Sequence, residues 1–471
     1  MWHITKREIY DNLNSLRFAL ATVLLLGLML TNAVVHLRGH PEQVQKYREG
    51  VAEHQNKLKT RADESLYTLA RKGPGDLYKN PSPLRFCAES GEAFLSERAE
   101  SNYHRWGWGS DDLESFWILE YPSVRSNLKS VRPDVTKVDW GFIIGYVLSL
   151  IALLFTFDSI TGEREQGTLR LMLANSIPRH TVLIGKFLGA LISISLPFML
   201  AILMNLLVIS TSSDVYLDGE SWGRLGIIIF IALLYTCLFL ALGLLVSARA
   251  QRGAVSLVIL LLMWVSFVVF MPSTLASIAG ASSPIKSTGG FSERSWQLHW
   301  ELDEKYSAPL FEAREDSTKR IQLLGEFVTT DVEQQERLHA ERLRQRIAQV
   351  HRARAVTRIS PVTIVQHLLE SFAGTGFERH LQFLENVQSY ARQFRAFIVD
   401  TDREDPDSLH FLGVPAGMSG KPVSPEAVPK FEDTLSFSKD LNAAAVDLLL
   451  LMLFVIVLLS GAYLAFVRVE V

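Results

Sequence analysis

The glycine and lysine motifs of this chain lack the spacing that nucleotide hydrolysis requires. A phosphate-binding loop follows the pattern Gly-x-x-x-x-Gly-Lys-Ser/Thr, because its backbone amides cradle the phosphates and its lysine reaches them. Gly185-Lys186 begins to match, but Phe187 follows it and the earlier glycine is missing. The sequence therefore predicts that this chain does not hydrolyse ATP and that any nucleotide site belongs to a partner.

Two other patterns contain residue types that can bind a metal or act as a nucleophile. His36 and His40 lie four residues apart, but Gly39 and Pro41 are expected to disrupt the helix that would align them. Two ligands are also too few for a closed metal site. Gly417-Met418-Ser419-Gly420 has the form Gly-x-Ser-Gly, yet it lies in a Pro/Gly-rich stretch where a turn is expected. The sequence predicts no catalytic residue and no bound metal.

Hydrophobic segments dominate the organisation of the chain. It has 471 residues, a formal net charge of −3 and only two cysteines, which argues against a nucleic-acid binder and against a disulfide scaffold. Six nearly charge-free windows are each long enough to cross about 30 Å of hydrocarbon. We therefore predict an all-α integral membrane protein with transmembrane segments at 18–37, 140–157, 188–210, 225–246, 254–271 and 441–467, the last being apolar from Leu448 to Phe466.

The charges of the short connections predict the orientation. Lysine and arginine in short loops favour the cytoplasmic side, whereas long translocated segments do not count. Basic residues occur in the N-terminal 1–17, in the 158–187 loop and in the 247–253 turn. Both termini are thus predicted to be cytoplasmic. The segments 38–139 and 272–440 are then predicted to be extracytoplasmic.

Both long segments are predicted to be mostly helical. Apolar residues recur at helical spacing over 42–72, with Pro41 at the predicted helix start and Gly73-Pro74-Gly75 after its end. Helices are also expected over 292–358, 362–373 and 376–399, and a loop after them. The charged faces of such helices are usually exposed to solvent; the alternative is that these helices dock another subunit.

The loop between the second and third segments carries the most informative pattern. Asp158 directly follows the second segment, Gly162 and Gly167 provide breaks, and Thr168 can cap a short helix. That helix would present apolar residues within 169–174, and it is too short to be stable alone in water. The loop could be an ordinary interfacial loop, or it could be an apolar knob that packs on a partner.

The run Gly162-Glu163-Arg164-Glu165-Gln166-Gly167-Thr168-Leu169, followed by Pro178-Arg179 and Gly185-Lys186, resembles the signature of ABC-2 type transporter permeases. The N-terminal residues Ile4 to Leu16 resemble the interfacial helix of that family, with Thr5 and Glu8 in a capping-box pattern. Ser360-Pro361 and the long first segment resemble a subgroup with enlarged ectodomains, related to the permeases of gliding motility and nitrous-oxide-reductase maturation.

The resemblance implies a role for this loop in coupling. In that family it holds a coupling helix that inserts into a separate ATP-binding subunit, which carries ATP and magnesium. The expected partners are therefore a cytoplasmic ATPase, a second permease and membrane lipids, with a possible extracytoplasmic partner and no nucleic acid. The function expected is that of an exporter subunit; the alternative is a non-transporting mechanotransmission or scaffold subunit. The resemblance assigns ATPase coupling to Glu163, Arg164, Glu165, Gly167, Thr168, Leu169, Arg170, Leu171, Met172, Pro178, Arg179 and Lys186.

Overall fold

The computed structural model describes residues 2–89, 98–103, 116–120, 138–169, 178–212, 215, 217–281 and 288–468. Within these ranges six helical runs are long and apolar enough to cross a membrane, which agrees in number with the prediction. We name them spans 1 to 6; they lie within Leu16–Glu64, Trp140–Glu165, Arg179–Ile209, Gly219–Arg249, Gly253–Ile278 and Phe437–Val467.

The remaining helices flank or connect the spans. We label them α1 to α7 in chain order. They are α1 Trp2–Leu13, α2 Leu66–Lys72, α3 Thr161–Glu165 at the end of the second helical run, α4 Thr288–Glu312, α5 Ser317–Thr357, α6 Pro361–Ala373 and α7 Phe377–Arg403.

Span 4 forms the centre of the bundle. It packs against spans 2 and 6, while span 1 packs against span 3. Gly243 of span 4 allows the close contact with span 2, because a Cβ atom there would lie 1.8 Å from the Thr156 hydroxyl oxygen. The bundle buries apolar side chains from these spans in one continuous core. The two ends of span 4 are therefore held by different neighbours, which matters for the site described below.

Spans 2 and 5 each contain one π-helical segment, Ile143–Leu148 and Val265–Phe270. Such segments leave carbonyl groups without regular helical partners, so nearby side chains have to satisfy them. The Tyr235 hydroxyl of span 4 donates to the Gly145 carbonyl at 3.0 Å, and the Trp264 indole donates to the Ser149 hydroxyl at 2.9 Å. These bonds connect spans 2, 4 and 5 inside the bundle.

The helix that contains span 1 is longer than expected. It runs without interruption from Leu16 to Glu64, so the prediction that a helix begins at Pro41 is wrong. Proline removes one backbone donor, and the helix continues through that position in spite of it. His36 and His40 are consequently aligned after all, and their rings stack with centroids 4.7 Å apart. The predicted end of the 42–72 helix is close to the observed one, because α2 ends at Lys72, just before Gly73.

The second long segment is helical where predicted. α6 and α7 match the expected pair over 362–373 and 376–399, and irregular structure follows α7 as expected. Every residue of α6 from Val362 to Ala373 is buried. The helix lies against spans 4 and 6, so it joins this segment firmly to the bundle. We call this end of the bundle the segment end, and the end that carries residues 158–187 the loop end.

The chain is mostly helical, but the expectation of an all-α fold needs one correction. Three short strands, Leu77–Tyr78, Arg98–Tyr103 and Trp117–Glu120, form an antiparallel sheet. The pairs Leu77 with Ala99 and Tyr103 with Trp117 fix its register. The apolar strand around Trp117 packs on α7, so tertiary contacts favour extended backbone there.

The two long segments share one hydrophobic core. Leu69 and Trp117 of the first segment lie in the same cluster as Phe383 and Phe394 of α7. Backbone hydrogen bonds also join them, from the Leu66 amide to the Lys421 carbonyl at 2.9 Å and from the Val423 amide to the Ala62 carbonyl at 2.9 Å. The segments therefore fold as one unit, although the second to fifth spans separate them in the sequence.

Candidate coupling site

α3 is fixed to the end of span 4 by backbone and side-chain hydrogen bonds. The Ser247 hydroxyl oxygen accepts from the amides of Ile160 and Thr161 at 3.1 and 3.2 Å. The Arg164 guanidinium donates to the carbonyls of Ala250 at 2.8 Å and Ala248 at 3.4 Å. These carbonyls lie at the C-terminal end of span 4, where unpaired backbone oxygens and the helix dipole favour a cation. Arg164 thus acts as a C-terminal cap for span 4.

Glu165 caps the N-terminal end of span 5. Its carboxylate accepts from the Gly253 amide at 2.9 Å, and Gly253 is the first residue of that helix. The N-cap residue Arg252 offers no side-chain acceptor, so Glu165 supplies the negative charge that a helix N-terminus favours. Arg164 and Glu165, which are adjacent in α3, therefore cap the C-terminal end of span 4 and the N-terminal end of span 5.

Glu163 reaches a third span through a buried lysine. The Lys186 ammonium, on span 3, donates to Glu163 at 2.8 Å and to Glu8 of α1 at 2.6 Å, and its side chain is only 2% exposed. A lysine this deeply buried requires its partners, because an unpaired ammonium there would be very costly. Gly189 of span 3 permits the close approach of α1, since a Cβ atom at this position would lie 2.6 Å from the Glu8 Cβ.

Two further arginines connect the loop with the first and last spans. Arg17, at the start of span 1, forms two hydrogen bonds with Asp158, at 3.0 and 2.7 Å. Arg179 donates to the carbonyls of Phe466 and Val467, at 3.4 and 2.5 Å, at the C-terminal end of span 6. Charges in or beside the 158–187 loop therefore contact the ends of spans 1, 3, 4, 5 and 6.

Leu169 is the last residue described before 170–177, and its side chain packs into the protein interior. It is 2% exposed and lies in a cluster with Ile160, Leu183 and Phe466, which also includes Leu244 of span 4. The expected apolar knob over 169–174 therefore starts with a side chain that packs on its own chain. Residues 170–177, including the predicted coupling residues Arg170, Leu171 and Met172, lie outside the described residues.

The loop residues fall into two groups. Glu163, Arg164, Glu165, Arg179 and Lys186 are brought together as a network, and each has a defined partner. Three others shape the backbone instead. Gly167 has φ +72° with open space around it, the Thr168 hydroxyl donates to the Glu163 carbonyl at 3.2 Å, and Pro178 immediately precedes the helix of span 3.

The predicted capping box in α1 is wrong. The helix includes Trp2, so Thr5 lies inside it and is buried rather than placed at the N-cap. Packing against span 3 determines this position, and Glu8 binds Lys186 instead of a backbone amide. Sequence reasoning also assigned no role to Ser247, and it used Arg17 only as a topological charge. A serine at the end of an apolar span gives no sequence signal of the backbone amides from which it accepts hydrogen bonds.

Comparison with known proteins agrees with this architecture. The family model described as ABC-2 family transporter protein matches residues 2–471. The chain is 33% identical over 133 residues to a protein of Pseudomonas aeruginosa named probable ABC transporter permease protein NosY, covering 28% of this chain and 48% of that protein. It is 27% identical over 166 residues to the protein of the same name from Stutzerimonas stutzeri, covering 34% of this chain and 58% of that protein. The chain thus spans about half the length of the curated relatives it matches. With six apolar spans and a match over almost its whole length, this chain belongs to the ABC-2 transporter family and is a multi-pass membrane subunit of the permease type.

Proposed function

We propose that this chain is the membrane subunit of an ATP-driven exporter in the bacterial inner membrane, with both termini and the 158–187 loop in the cytoplasm. A separate cytoplasmic ATPase would bind ATP and magnesium, and a second permease, identical or related, would complete the complex. The names of the two relatives support the permease role. The cargo would move out of the cytoplasm or the membrane.

The contacts of α3 suggest how force would reach the spans. Glu163, Arg164 and Glu165 are consecutive, and they hold spans 3, 4 and 5 respectively. A displacement of α3 by a few ångströms would therefore act on three span ends together. The ATPase can shift the permease between two states only through contacts that differ in free energy between them. This triple attachment is the observation that supports a coupling function most directly.

Spin labels at the loop end can test this mechanism in the assembled complex. We would place cysteines at His180 of span 3 and Arg252 beside span 5, both exposed, and replace Cys237 with serine. ATP bound by the co-purified ATPase should change the distance between the labels. The double variant E163Q/E165Q should lose most of that change while ATP hydrolysis continues.

Gln166→Ala is the matched control, because Gln166 is exposed and lies in the same turn. If ATP still changed the label distance in E163Q/E165Q as much as in the control, a role of these carboxylates in coupling would be contradicted. Failure of any ABC ATPase to co-purify with the chain in membranes would contradict the proposal as a whole.

A second function, mechanotransmission to an extracytoplasmic partner, is favoured by the contacts at the segment end. Arg224 of span 4 pairs with Asp440 of span 6 at 2.6 Å, and Gln382 of α7 donates to the same carboxylate at 2.6 Å. Movement of spans 4 and 6 would thus carry α7 with it. An ATP-dependent movement of α7 relative to spans 1 and 3, with no cargo translocated by the reconstituted complex, would support this function over export.

A further inference from the structure

A groove between the two long segments is formed by α5 and α7 of the second segment and by the third strand, Trp117–Glu120, of the first. Its volume is about 560 Å³, and Leu119, Leu343, Ile347 and Ala391 lie along it. Small-molecule sites commonly have volumes of roughly 300–1,000 Å³. The groove is far from the loop residues in the sequence, and none of the coupling residues that the structure describes line it. It is thus separate from the site described above.

The floor of the groove is apolar and fixed. Leu119 is 8% exposed and Ala391 is 6% exposed, because both also belong to the core that the two long segments share. Trp117 and Phe394 pack edge to face beneath it. A floor anchored in this way can receive an apolar ligand body without rearrangement of the backbone.

The rim of the groove has an excess of positive charge. Four arginines and two glutamates line it, and both glutamates already have an arginine partner: Glu333 pairs with Arg337, and Glu336 pairs with Arg395. Arg344 and Arg392 are exposed and form no ion pair within the described residues. They lie on α5 and α7, one on each wall. Guanidinium groups favour carboxylate, phosphate and sulfate, which accept two parallel hydrogen bonds from them.

We propose that this groove binds an amphiphilic organic anion, with the apolar body on Leu343, Ile347 and Ala391 and the anionic head between Arg344 and Arg392. The ligand could come from solution, as a free fatty acid or similar anion, or from the membrane, as an anionic lipid. Both sources share this chemistry. The site does not depend on the coupling function, since it lies outside the spans.

Photolabelling of the full chain in nanodiscs of zwitterionic lipid can test the proposal. The first probe is a medium-chain fatty acid that carries a diazirine, with the corresponding primary alcohol as its neutral analogue. The second probe is a diazirine-bearing phosphatidic acid incorporated into the nanodisc. Peptide mass spectrometry should locate adducts at 340–347 and 388–391. Labelling by the free acid alone would assign a soluble ligand, and labelling by phosphatidic acid alone would assign a lipid.

Three variants make the test specific. R344E/R392E should reduce labelling about tenfold, because two favourable exposed charge contacts become repulsive. A340W should abolish it by filling the groove. R352E changes the same charge at an exposed position of α5 that does not line the groove, so labelling should persist. Equal labelling by the alcohol and the acid, or undiminished labelling of R344E/R392E, would overturn the proposal. R344E/R392E alters only exposed side chains, so it serves as the test even if A340W fails to assemble.

Discussion

The two ends of span 4 are held by chemically different contacts. At the segment end, Arg224 meets Asp440, and their side chains are 5% and 1% exposed. At the loop end, Arg164 donates to backbone carbonyls of span 4, and the neighbouring Glu163, which pairs with Lys186 of span 3, is 21% exposed. Buried charge pairs are costly to separate, whereas partly hydrated contacts with helix ends can exchange with water at a small cost. We therefore expect the charged contacts at the loop end to separate at a lower cost in free energy than the ion pair at the segment end.

Breaking the pair at the segment end should give the largest effect. Among the described residues, Asp440→Leu leaves the buried Arg224 guanidinium with Glu220 as its remaining charged partner. We expect a loss of about 3–5 kcal/mol in the free energy of unfolding, which is typical when one partner of a buried ion pair is removed. Thermal unfolding of the purified protein in detergent would measure it.

Two controls separate charge from packing at this end. The double variant R224L/D440L should recover much of the lost stability, because no unpaired charge remains. Lys439→Ala removes a neighbouring pair with Glu385 in which both side chains are more than half exposed, so its effect should be within about 0.5 kcal/mol. Equal losses in K439A and D440L would refute the contrast between buried and exposed charges.

At the loop end, removal of the buried charge of Lys186 should have an intermediate effect. Lys186→Met leaves Glu8 and Glu163 close together without a cation. Since both carboxylates remain partly hydrated, we expect a loss of about 2 kcal/mol in the free energy of unfolding, less than for D440L. The same thermal measurement applies. The triple variant E8Q/E163Q/K186M should be more stable than K186M, and the opposite order would contradict repulsion between the two carboxylates left without a cation.

A smaller effect is expected from the close approach of α1 to span 3. Gly189→Ala would place a methyl group against Glu8, and the resulting shift of α1 should cost about 1–2 kcal/mol. Gly226→Ala is the matched control, because that glycine lies in span 4 with nothing within 4 Å of its would-be Cβ. It should be neutral or slightly stabilising, as alanine favours a helix. Similar thermal midpoints for both variants would contradict the tight packing at Gly189.

The smallest effect concerns the salt bridge between the exposed Lys421 and Asp405, beyond α7, and it should depend on pH. Hydrogen bonds from Lys421 and Ser419 lower the pKa of Asp405 from 3.8 to about 2. The native state therefore favours the ionised carboxylate, so this contribution is complete above pH 3.8 and is lost as the pH falls towards 2. Thermal midpoints recorded over this interval should fall more steeply for the parent than for Asp405→Asn. Parallel pH profiles would contradict the assignment.

The extent to which the sequence predicted the site differs from residue to residue. The pattern around Glu163, Arg164 and Glu165 identified the loop, because charges directly after an apolar span have to lie near its end. Their partners could not be predicted, since they lie 23 to 88 residues away and the choice depends on how the spans pack. Ser247 was missed for the same reason. Thr5 was assigned to a cap because local spacing ignores the packing of α1 on span 3.

The amino-acid sequence by itself determined the number of spans, the helical character of α6 and α7, and the position of the loop. These features follow from local rules: hydrocarbon requires long charge-free helices, and proline and glycine limit the others. Only the tertiary structure decided that two segments far apart in the chain share one core, that a helix continues through Pro41, and that Leu169 packs inward. Each of these depends on contacts between distant residues, whose free energy outweighs the local preference.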